Sequence, residues 1–378
     1  RQPRRLVRFR ALSPGRCATA LCPGRAAAAA HRLGWGGWRR LLSSGSMSAP
    51  RVFDKVSAAV GDTPMVRLRR AVPGFAGEVY AKLEYMNPMG SIKDRIARHM
   101  VEQAMADGRL AAGGTVVEAS SGNTAMGLAM MAIEYDLRCV MVVRQQTSPE
   151  KIDALRAMGV ELVLVDGDLP PEHPESYNRM ARRLAAEIPG AFFPDQHNDR
   201  ANNEAHYRST GPEIWRQMEG RIDWFVAGIG TGGTVSGVAR YLKEQDPNVK
   251  VLAVDIAGSV FLDHFKHGRR VTPQRTLVEG LGDEEIIGCP EWERLDDMVQ
   301  ATDRDAILAA RELARTEAIF AGGSSGATLW GVRQLAARLT ATDGAGAGVR
   351  IATLFADSGN RYLSTIYSDP WIARQGWS

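Results

Sequence analysis

From about residue 52 onward, short apolar runs alternate with amphipathic ones, and that alternation predicts most of the elements. VFDKVSAAVGDTPMVRLRRA predicts a short amphipathic helix, a Gly-Asp-Thr-Pro turn and a short strand. EVYAKLEYM alternates as a strand does. IKDRIARHMVEQAMADGRL carries apolar residues at helical spacing, which predicts a helix with Ser91 as N-cap and an end near Gly108. TVVEAS, LRCVMVV and VELVLVD predict strands, separated by the helical runs AMGLAMMAIEYD and SPEKIDALRAMG. A Pro- and acid-rich loop from Leu169 to Ser176 precedes the helix NRMARRLAAEI. FFPDQHNDRANNEAHY predicts a loop, and TGPEIWRQM a helix. DWFVAGIGTGGTVSGVARYLKEQ predicts strand, glycine loop and helix, and VKVLAVD a further strand. The pattern weakens between Ile256 and Gly288, where a loop with short helices is expected. The helix DAILAARELARTEAI, the turn GGSSG, the helix ATLWGVRQLAARLTA, a surface loop from Ala341 to Gly348 and the strand VRIATLFAD complete the series. Strands alternating with helices predict an α/β fold of mostly parallel, twisted sheets covered by helices.

Composition adds bounds. The 378 residues are 44% hydrophobic and 24% charged, which is globular, and the length predicts two lobes. The formal charge of +4 is unevenly placed: no Asp or Glu precedes Asp54, whereas arginines are dense before it. Residues 1–46, rich in Arg and Ala and ending in RRLLSSGSM, predict a disordered transit leader for the mitochondrial matrix, favoured over the plastid; a start at Met47 would instead place the protein in the cytoplasm. Without that segment the chain is mildly acidic, so no nucleic-acid partner is expected. No apolar run approaches the roughly 18 residues of a membrane span. Four cysteines make no disulfide framework: Cys17 and Cys22 fall in the leader, Cys139 in a core strand and Cys289 in a loop. No metal-ligand spacing occurs.

The candidate chemistry centres on Asn87 to Arg95, N-P-M-G-S-I-K-D-R. The Asn-Pro and the Gly mark a turn, and Lys93 falls in the first turn of the following helix, where the helix dipole disfavours a cation. Alone it reads as a solvated surface lysine; the sharper reading is a Schiff-base lysine with a depressed pKa. Gly228, Gly230 and Gly233 satisfy G-x-G-x-x-G between strand and helix, and Asp255 ends the next strand, as in a dinucleotide fingerprint. The same loop serves a single phosphate, bound by the amides of Gly230 to Thr234, or a mere packing turn. Ser120-Ser121-Gly122-Asn123-Thr124 and Gly322-Gly323-Ser324-Ser325-Gly326 also stand at predicted junctions, as anion cups or as ordinary caps. A dehydrogenase needs one phosphate loop and has no use for the other two or for Lys93. A pyridoxal phosphate enzyme needs a lysine, a phosphate cradle, a carboxylate cup and a partner for the pyridine nitrogen, and each has a candidate here.

With these residues in hand, the chain resembles the cysteine synthase/cystathionine β-synthase family of fold-type-II pyridoxal phosphate enzymes, from about Val52 to Trp377. The motifs are G-D-T-P-M-V, N-P-M-G-S-I-K-D-R, S-S-G-N-T, T-G-P-E-I-W, G-T-G-G-T and G-G-S-S-G. The resemblance implies a tryptophan synthase β-like fold, with a larger cofactor-binding lobe from residues 52–90 and 198–378. A smaller, mobile lobe from 91–197 would close over the substrate. It implies pyridoxal 5'-phosphate on Lys93, Asn123 on the ring hydroxyl, Gly230, Thr231, Gly232, Gly233 and Thr234 on the phosphate, and Ser324 facing the ring nitrogen. Ser120, Ser121, Thr124 and Gln196 match residues that hold the substrate carboxylate. The implied reaction is β-replacement on O-acetylserine or O-phosphoserine by a sulfur nucleophile, giving L-cysteine. A homodimer is implied, with serine acetyltransferase as a candidate partner.

Some segments point elsewhere in the family. D-I-A-G-S (Asp255 to Ser259), E-G-L-G (Glu279 to Gly282) and Ser368-Asp369-Pro370-Trp371 look like cystathionine β-synthase, which condenses serine with homocysteine. No haem-binding pair is evident and no regulatory domain is expected after Ser378. Ser120-Ser121, Glu187 to Ala191 and Gly322 to Ala327 are similar to the bacterial enzymes that make 2,3-diaminopropionate from phosphoserine. Met89 and Ala125 replace smaller residues and are expected to reshape the pocket. If they spoil it, a non-catalytic partner role is the outcome. A Rossmann oxidoreductase is the reading from a different class.

Overall fold

Two sheets, both mainly parallel, organise the residues that the computed structural model describes: 52–170, 172–343 and 346–377. The leader expected over residues 1–46, with Cys17 and Cys22, lies outside the described residues. After a 3-10 turn at Val56–Ala59, where a helix was expected, come β1 (Met65–Arg67) and β2 (Glu78–Leu83). Next are α1 (Lys93–Ala106), β3 (Thr115–Ala119), α2 (Asn123–Glu134), β4 (Arg138–Arg144), α3 (Pro149–Ala157), β5 (Glu161–Val165) and α4 (Tyr177–Glu187). α5 (Ala201–Ala205) continues through a π turn, His206–Thr210, into α6 (Gly211–Gln217). β6 (Trp224–Gly228), α7 (Gly233–Gln245), β7 (Lys250–Ile256), α8 (Phe261–His267), β8 (Asp297–Ala301) and α9 (Asp303–Glu317) follow. α10 (Gly323–Asp343), β9 (Arg350–Phe355) and α11 (Asp369–Arg374) close the described chain.

The larger sheet has the order β1-β2-β9-β6-β7-β8, and only β1 runs antiparallel to its neighbour. The smaller sheet, β3-β4-β5, is parallel throughout. Parallel strands are covered on both faces, which is why β3 is buried at every position and β7 at all but its first. On one face of the larger sheet Leu329, Val332 and Leu335 pack from α10. On the other lie Ile214 of α6 and Val238 and Leu242 of α7. The smaller sheet is covered by Ala97, Leu128 and Met131 of α1 and α2 on one side and by Ala181 of α4 on the other. Each fully buried large side chain contributes about 1.5–3 kcal/mol.

Five further expectations change. Ser91 is not the N-cap: α1 starts at Lys93, and the Asp94 carboxylate closes the turn by accepting the Met89 amide at 2.6 Å. Residues 201–207, expected as loop from their Asn and Asp content, are helical. Asp199 accepts the Ala201 amide at 2.8 Å, and the Asn202 and Asn203 side chains turn outward from the helix to other segments. β8 was not expected because DMVQA is a polar edge strand with only Met298 and Ala301 buried. The turn GGSSG is mostly the first turn of α10. Gly326 lies in that turn because a side chain there would come within 2.0 Å of the Ala306 carbonyl on α9. α10 also runs on to Asp343, into the expected loop, whose residues 344–345 lie outside the described residues.

β9 enters the sheet last and lies between β2 and β6. Leu83 at the end of β2 therefore pairs with Phe355, beside the end of β6. Three carboxyl ends, from distant parts of the chain, stand side by side.

Candidate active site

Lys93 is aimed by what lies beneath it. Arg95, one turn into α1 and 3% exposed, donates Nε to Glu84 Oε2 at 2.7 Å and Nη2 to Glu84 Oε1 at 2.8 Å. Its outer nitrogens reach Glu213 Oε1 at 2.8 Å and Oε2 at 2.7 Å, and Lys82 Nζ reaches Glu213 at 2.7 Å. Asn87 ties the same turn by donating to Glu84 and accepting the Gly61 amide at 2.9 Å. The Ile92 amide donates to the Ala356 carbonyl at 2.8 Å, which fastens the start of α1 to the end of β9. Burial pulls the Lys93 amine below the usual lysine range, and the Asp357 carboxylate opposes that fall.

A cavity opens at these strand ends, with Lys93, Gly230, Thr231, Thr234, Leu281 and Ser324 in its wall and no Asp or Glu among its lining residues. Its floor is the loop from Gly230 to Thr234. Gly232 has φ of +84°, and a side chain there would meet Pro290 at 2.6 Å; one at Gly233 would meet Asn202 Oδ1 at 1.9 Å. Packing against Pro290 and Asn202 therefore requires glycine at both positions, and the first amides of α7, with no partner within the helix, are available to an anion. Thr234 Oγ1 lies 3.0 Å from His206 Nε2, whose other ring nitrogen is 2.9 Å from Thr210 Oγ1. His206 is fully buried, and burial keeps it neutral.

The second loop forms beside the first. Ser120 Oγ accepts the amides of Ala125 at 3.2 Å and Gly122 at 3.4 Å, and Ser121 lies beside the Tyr177 ring hydroxyl. Thr124 Oγ1 donates to Gln196 Oε1 at 2.6 Å, which leaves the Gln196 Nε2 end free to donate to a carboxylate. Asn123 Nδ2 donates to Asp357 Oδ2 at 2.8 Å. These residues are not in the cavity wall proper; Ser120, Ser121, Thr124 and Gln196 form a neighbouring cup. Asn202 joins the two by donating Nδ2 both to the Gln196 carbonyl (2.7 Å) and to Thr231 Oγ1 (3.0 Å). Of the candidate site residues, Lys93, Gly230, Thr231, Gly232, Thr234 and Ser324 line the cavity, Gly233 lies in the same loop, and Asn123, Ser120, Ser121, Thr124 and Gln196 stand beside it.

Met89 and Ala125 do not line the cavity. Ala125 is fully buried, and Met89 packs against the same core cluster of α1 and α2. Asp255, the acid of the dinucleotide reading, is spent inside β7 and α8: its Oδ2 accepts the Leu262 amide (3.0 Å) and Gln300 Nε2 (3.2 Å). The sequence reading missed Asp357, Asn202, His206 and the wall residues Gly280 and Leu281. Of these, Asp357 carried a signal, since it is the last residue of the predicted strand VRIATLFAD, at a carboxyl end.

The loop that carries Gly280 and Leu281 is acidic and is tied to elements around the smaller sheet. Lys151 of α3 pairs with Glu279, Arg144 at the end of β4 with Glu284 (4.0 Å), and His197 with Asp283 (3.0 Å). Burial lowers the His197 pKa, but the Asp283 carboxylate outweighs it and holds the imidazolium above its usual range.

The residues present fit pyridoxal phosphate. A lysine, a glycine cradle for a phosphate and a neutral hydroxyl share one wall, while Asn123 Oδ1 beside it is buried with no hydrogen-bond partner.

Comparison with known proteins agrees. The family model described as pyridoxal-phosphate dependent enzyme matches residues 56–349. The chain is 36% identical over 330 residues to a cystathionine beta-synthase of Apis mellifera, covering 86% of this chain and 64% of that one. It is 38% identical to a cysteine synthase of Staphylococcus aureus over 322 residues, 85% of this chain and 99% of that one. It is 39% identical over 316 residues to an N-(2-amino-2-carboxyethyl)-L-glutamate synthase of Ralstonia nicotianae, 83% of this chain and 90% of that one. The chain thus spans less than two thirds of the honeybee relative's length but nearly all of the two bacterial ones. Among solved structures, an O-acetylserine dependent cystathionine beta-synthase from Helicobacter pylori superposes with a TM-score of 0.75 at 30% identity, covering 84% of this chain and 100% of that one.

Proposed function

The chain belongs to the pyridoxal-phosphate dependent enzyme family, and from that premise we propose that it makes L-cysteine from an activated L-serine, O-acetylserine or O-phosphoserine, and a sulfur nucleophile. Its relatives include a cysteine synthase and an N-(2-amino-2-carboxyethyl)-L-glutamate synthase, and a similar solved structure is an O-acetylserine dependent cystathionine beta-synthase; the choice of donor and acceptor is our reading. One observation carries it. The hydroxyl residue Ser324, and no carboxylate, shares the cavity wall with Lys93.

The bound cofactor supplies an electron sink for the bonds at the substrate's Cα. Lys93 holds the cofactor and, once free, takes the Cα proton on Nζ; its desolvated amine is matched to that task. Gly230, Thr231, Gly232, Gly233 and Thr234 would hold the phosphate, and Asn123 would meet the ring hydroxyl. Ser324, being neutral, would not hold a pyridine nitrogen protonated. Ser120, Ser121, Thr124 and Gln196 orient the substrate carboxylate. In net terms the Cβ–O bond breaks, acetate or phosphate departs with its electron pair, a Cβ–S bond forms, and Lys93 returns the proton.

A second reading, cystathionine synthesis from serine and homocysteine, is favoured by D-I-A-G-S and by the honeybee relative. One panel separates the readings. Protein reconstituted with pyridoxal phosphate is given O-acetylserine, O-phosphoserine or serine against sulfide, homocysteine or L-glutamate, and products are weighed by mass spectrometry. Cysteine from an activated serine and sulfide is expected. Cystathionine without cysteine supports the second reading, and an amine adduct with L-glutamate sinks both. Borohydride reduction followed by peptide mapping is expected to find the cofactor on Lys93.

A further inference from the structure

Asp357, two residues beyond β9, joins more parts of the site than any residue the motifs contain. It is 1% exposed. Its Oδ2 accepts Asn123 Nδ2 at 2.8 Å and the Tyr362 hydroxyl at 2.7 Å. Its carbonyl accepts the Gly322 amide at 3.0 Å, and its backbone forms a β-bridge with Ser91, two residues before Lys93. The turn of Lys93, the start of α2, the start of α10 and the end of β9 therefore share one side chain and its backbone.

The chemistry of that contact is directional. A carboxylate can only accept, so the end of the Asn123 amide it takes must be the NH2 end. Burial raises the Asp357 pKa and its Oδ1 has no partner, while Asn123, the Tyr362 hydroxyl as a second donor on the same oxygen, and the nearby Arg361 and Lys151 cations act against that rise and support the ionised form. With its nitrogen committed, Asn123 presents its Oδ1 on the other side, and that atom is buried and without a partner. An asparagine with no such neighbour could flip its amide at little cost. Here the flip would set an oxygen against a carboxylate, in a buried place where repulsion is poorly screened.

Resting on the assignment of Asn123 to the cofactor, we infer that Asp357 is a positioning residue that holds the Asn123 amide in one orientation toward the bound pyridoxal phosphate. Asp357 acts through Asn123 and touches neither substrate nor cofactor in this role. Tyr362 contributes by holding Asp357.

A double-mutant cycle tests this, read by the dissociation constant for pyridoxal phosphate and by the visible absorption of the bound cofactor as a function of pH. Asp357→Asn keeps the shape and removes the charge. It is expected to weaken cofactor binding by about tenfold, the size of one lost hydrogen bond to a charged group, and to shift the pH midpoint of the visible band. In an Asn123→Ala background the same substitution is expected to change affinity less than about twofold, because its route of action is gone. Tyr362→Phe, which buries no new polar group, is expected to give a smaller effect with the same dependence on Asn123, and it carries the test should Asp357→Asn fail to fold. Equal losses in both backgrounds, or an unchanged affinity and spectrum in the single variants, overturn the inference. Such a result with the cofactor still on Lys93 leaves the proposed function standing. A wild-type protein that binds no pyridoxal phosphate overturns both.

Discussion

Glu118, at the end of β3 and 1% exposed, connects the cup to the pH of the medium. Its Oε1 accepts the Ala119 amide at 2.8 Å and its Oε2 the Gln196 amide at 3.2 Å, so it helps set the loop that carries Gln196. Burial raises its pKa from 4.5 to about 7, against the pull of those amides and of His197. The sign follows from proton counting. Between the two values the unfolded chain has released this proton and the native chain still holds it, so stability falls as pH rises through that window. Asp94, also raised by burial to about 7, acts in the same direction. Glu213 acts oppositely and only in acid, because Arg95 outweighs burial and holds it at about 2. Glu118 and Asp94 are therefore expected to lower the urea midpoint between pH 5 and pH 8, against the rise that His206 and His99, both lowered by burial, add below about pH 6.5, and Glu118→Gln is expected to remove its share of the fall. The part carried by Glu118 is at most on the order of 3 kcal/mol. A variant that keeps the whole slope would show that the proton sits elsewhere.

At the scale of elements, the first turn of α1 depends on charges that no solvent reaches. Glu84, Arg95, Glu213 and Lys82 form one buried network, and Lys93 stands two residues from its centre. Arg95→Met would strand Glu84 and leave Glu213 with Lys82 alone, and removing one member of such a group costs about 3–5 kcal/mol. Thermal unfolding is expected to show that loss, together with a fall in cofactor occupancy. A variant as stable as wild type would remove the network from the account of how Lys93 is held. The strands and helices around α1 were legible because doubly covered strands read as short continuous apolar runs and helices as a period of 3.6. The junction loops were legible because close backbone approach requires glycine, and glycine is visible. Less was legible where a polar residue works at long range. Asn202 and Asn203 look like loop formers until their partners Gln196, Thr231 and Cys289 are known. Asp357 is a single acid after a strand, and its meaning comes from Asn123, 234 positions away. The polar edge strand β8 has little burial to impose a pattern.

Over the whole molecule, the site is a product of strand order. β9, the last of the described strands in chain order, separates β2 from β6, so Lys93 and the phosphate loop become neighbours only when the chain through Phe355 is in place. A partly made chain has the motifs without the site. The ties between the acidic loop at Glu279 to Glu285 and the smaller sheet have a different consequence, which lies in time and ionic strength. Lys151 with Glu279 and Arg144 with Glu284 each join an element around the smaller sheet to a wall of the cavity, and both acids are about half exposed. Such pairs are worth roughly 0.2–1 kcal/mol each and weaken once the screening length falls toward 3 Å in molar salt. Hydrogen exchange at residues 279–285 is expected to speed up a few-fold between 50 mM and 1 M salt, and Lys151→Met to raise the low-salt rate and blunt the salt response. If neither changes, the pairs are decoration. If both do, the dwell time of whatever enters the cavity is set by the electrolyte outside it.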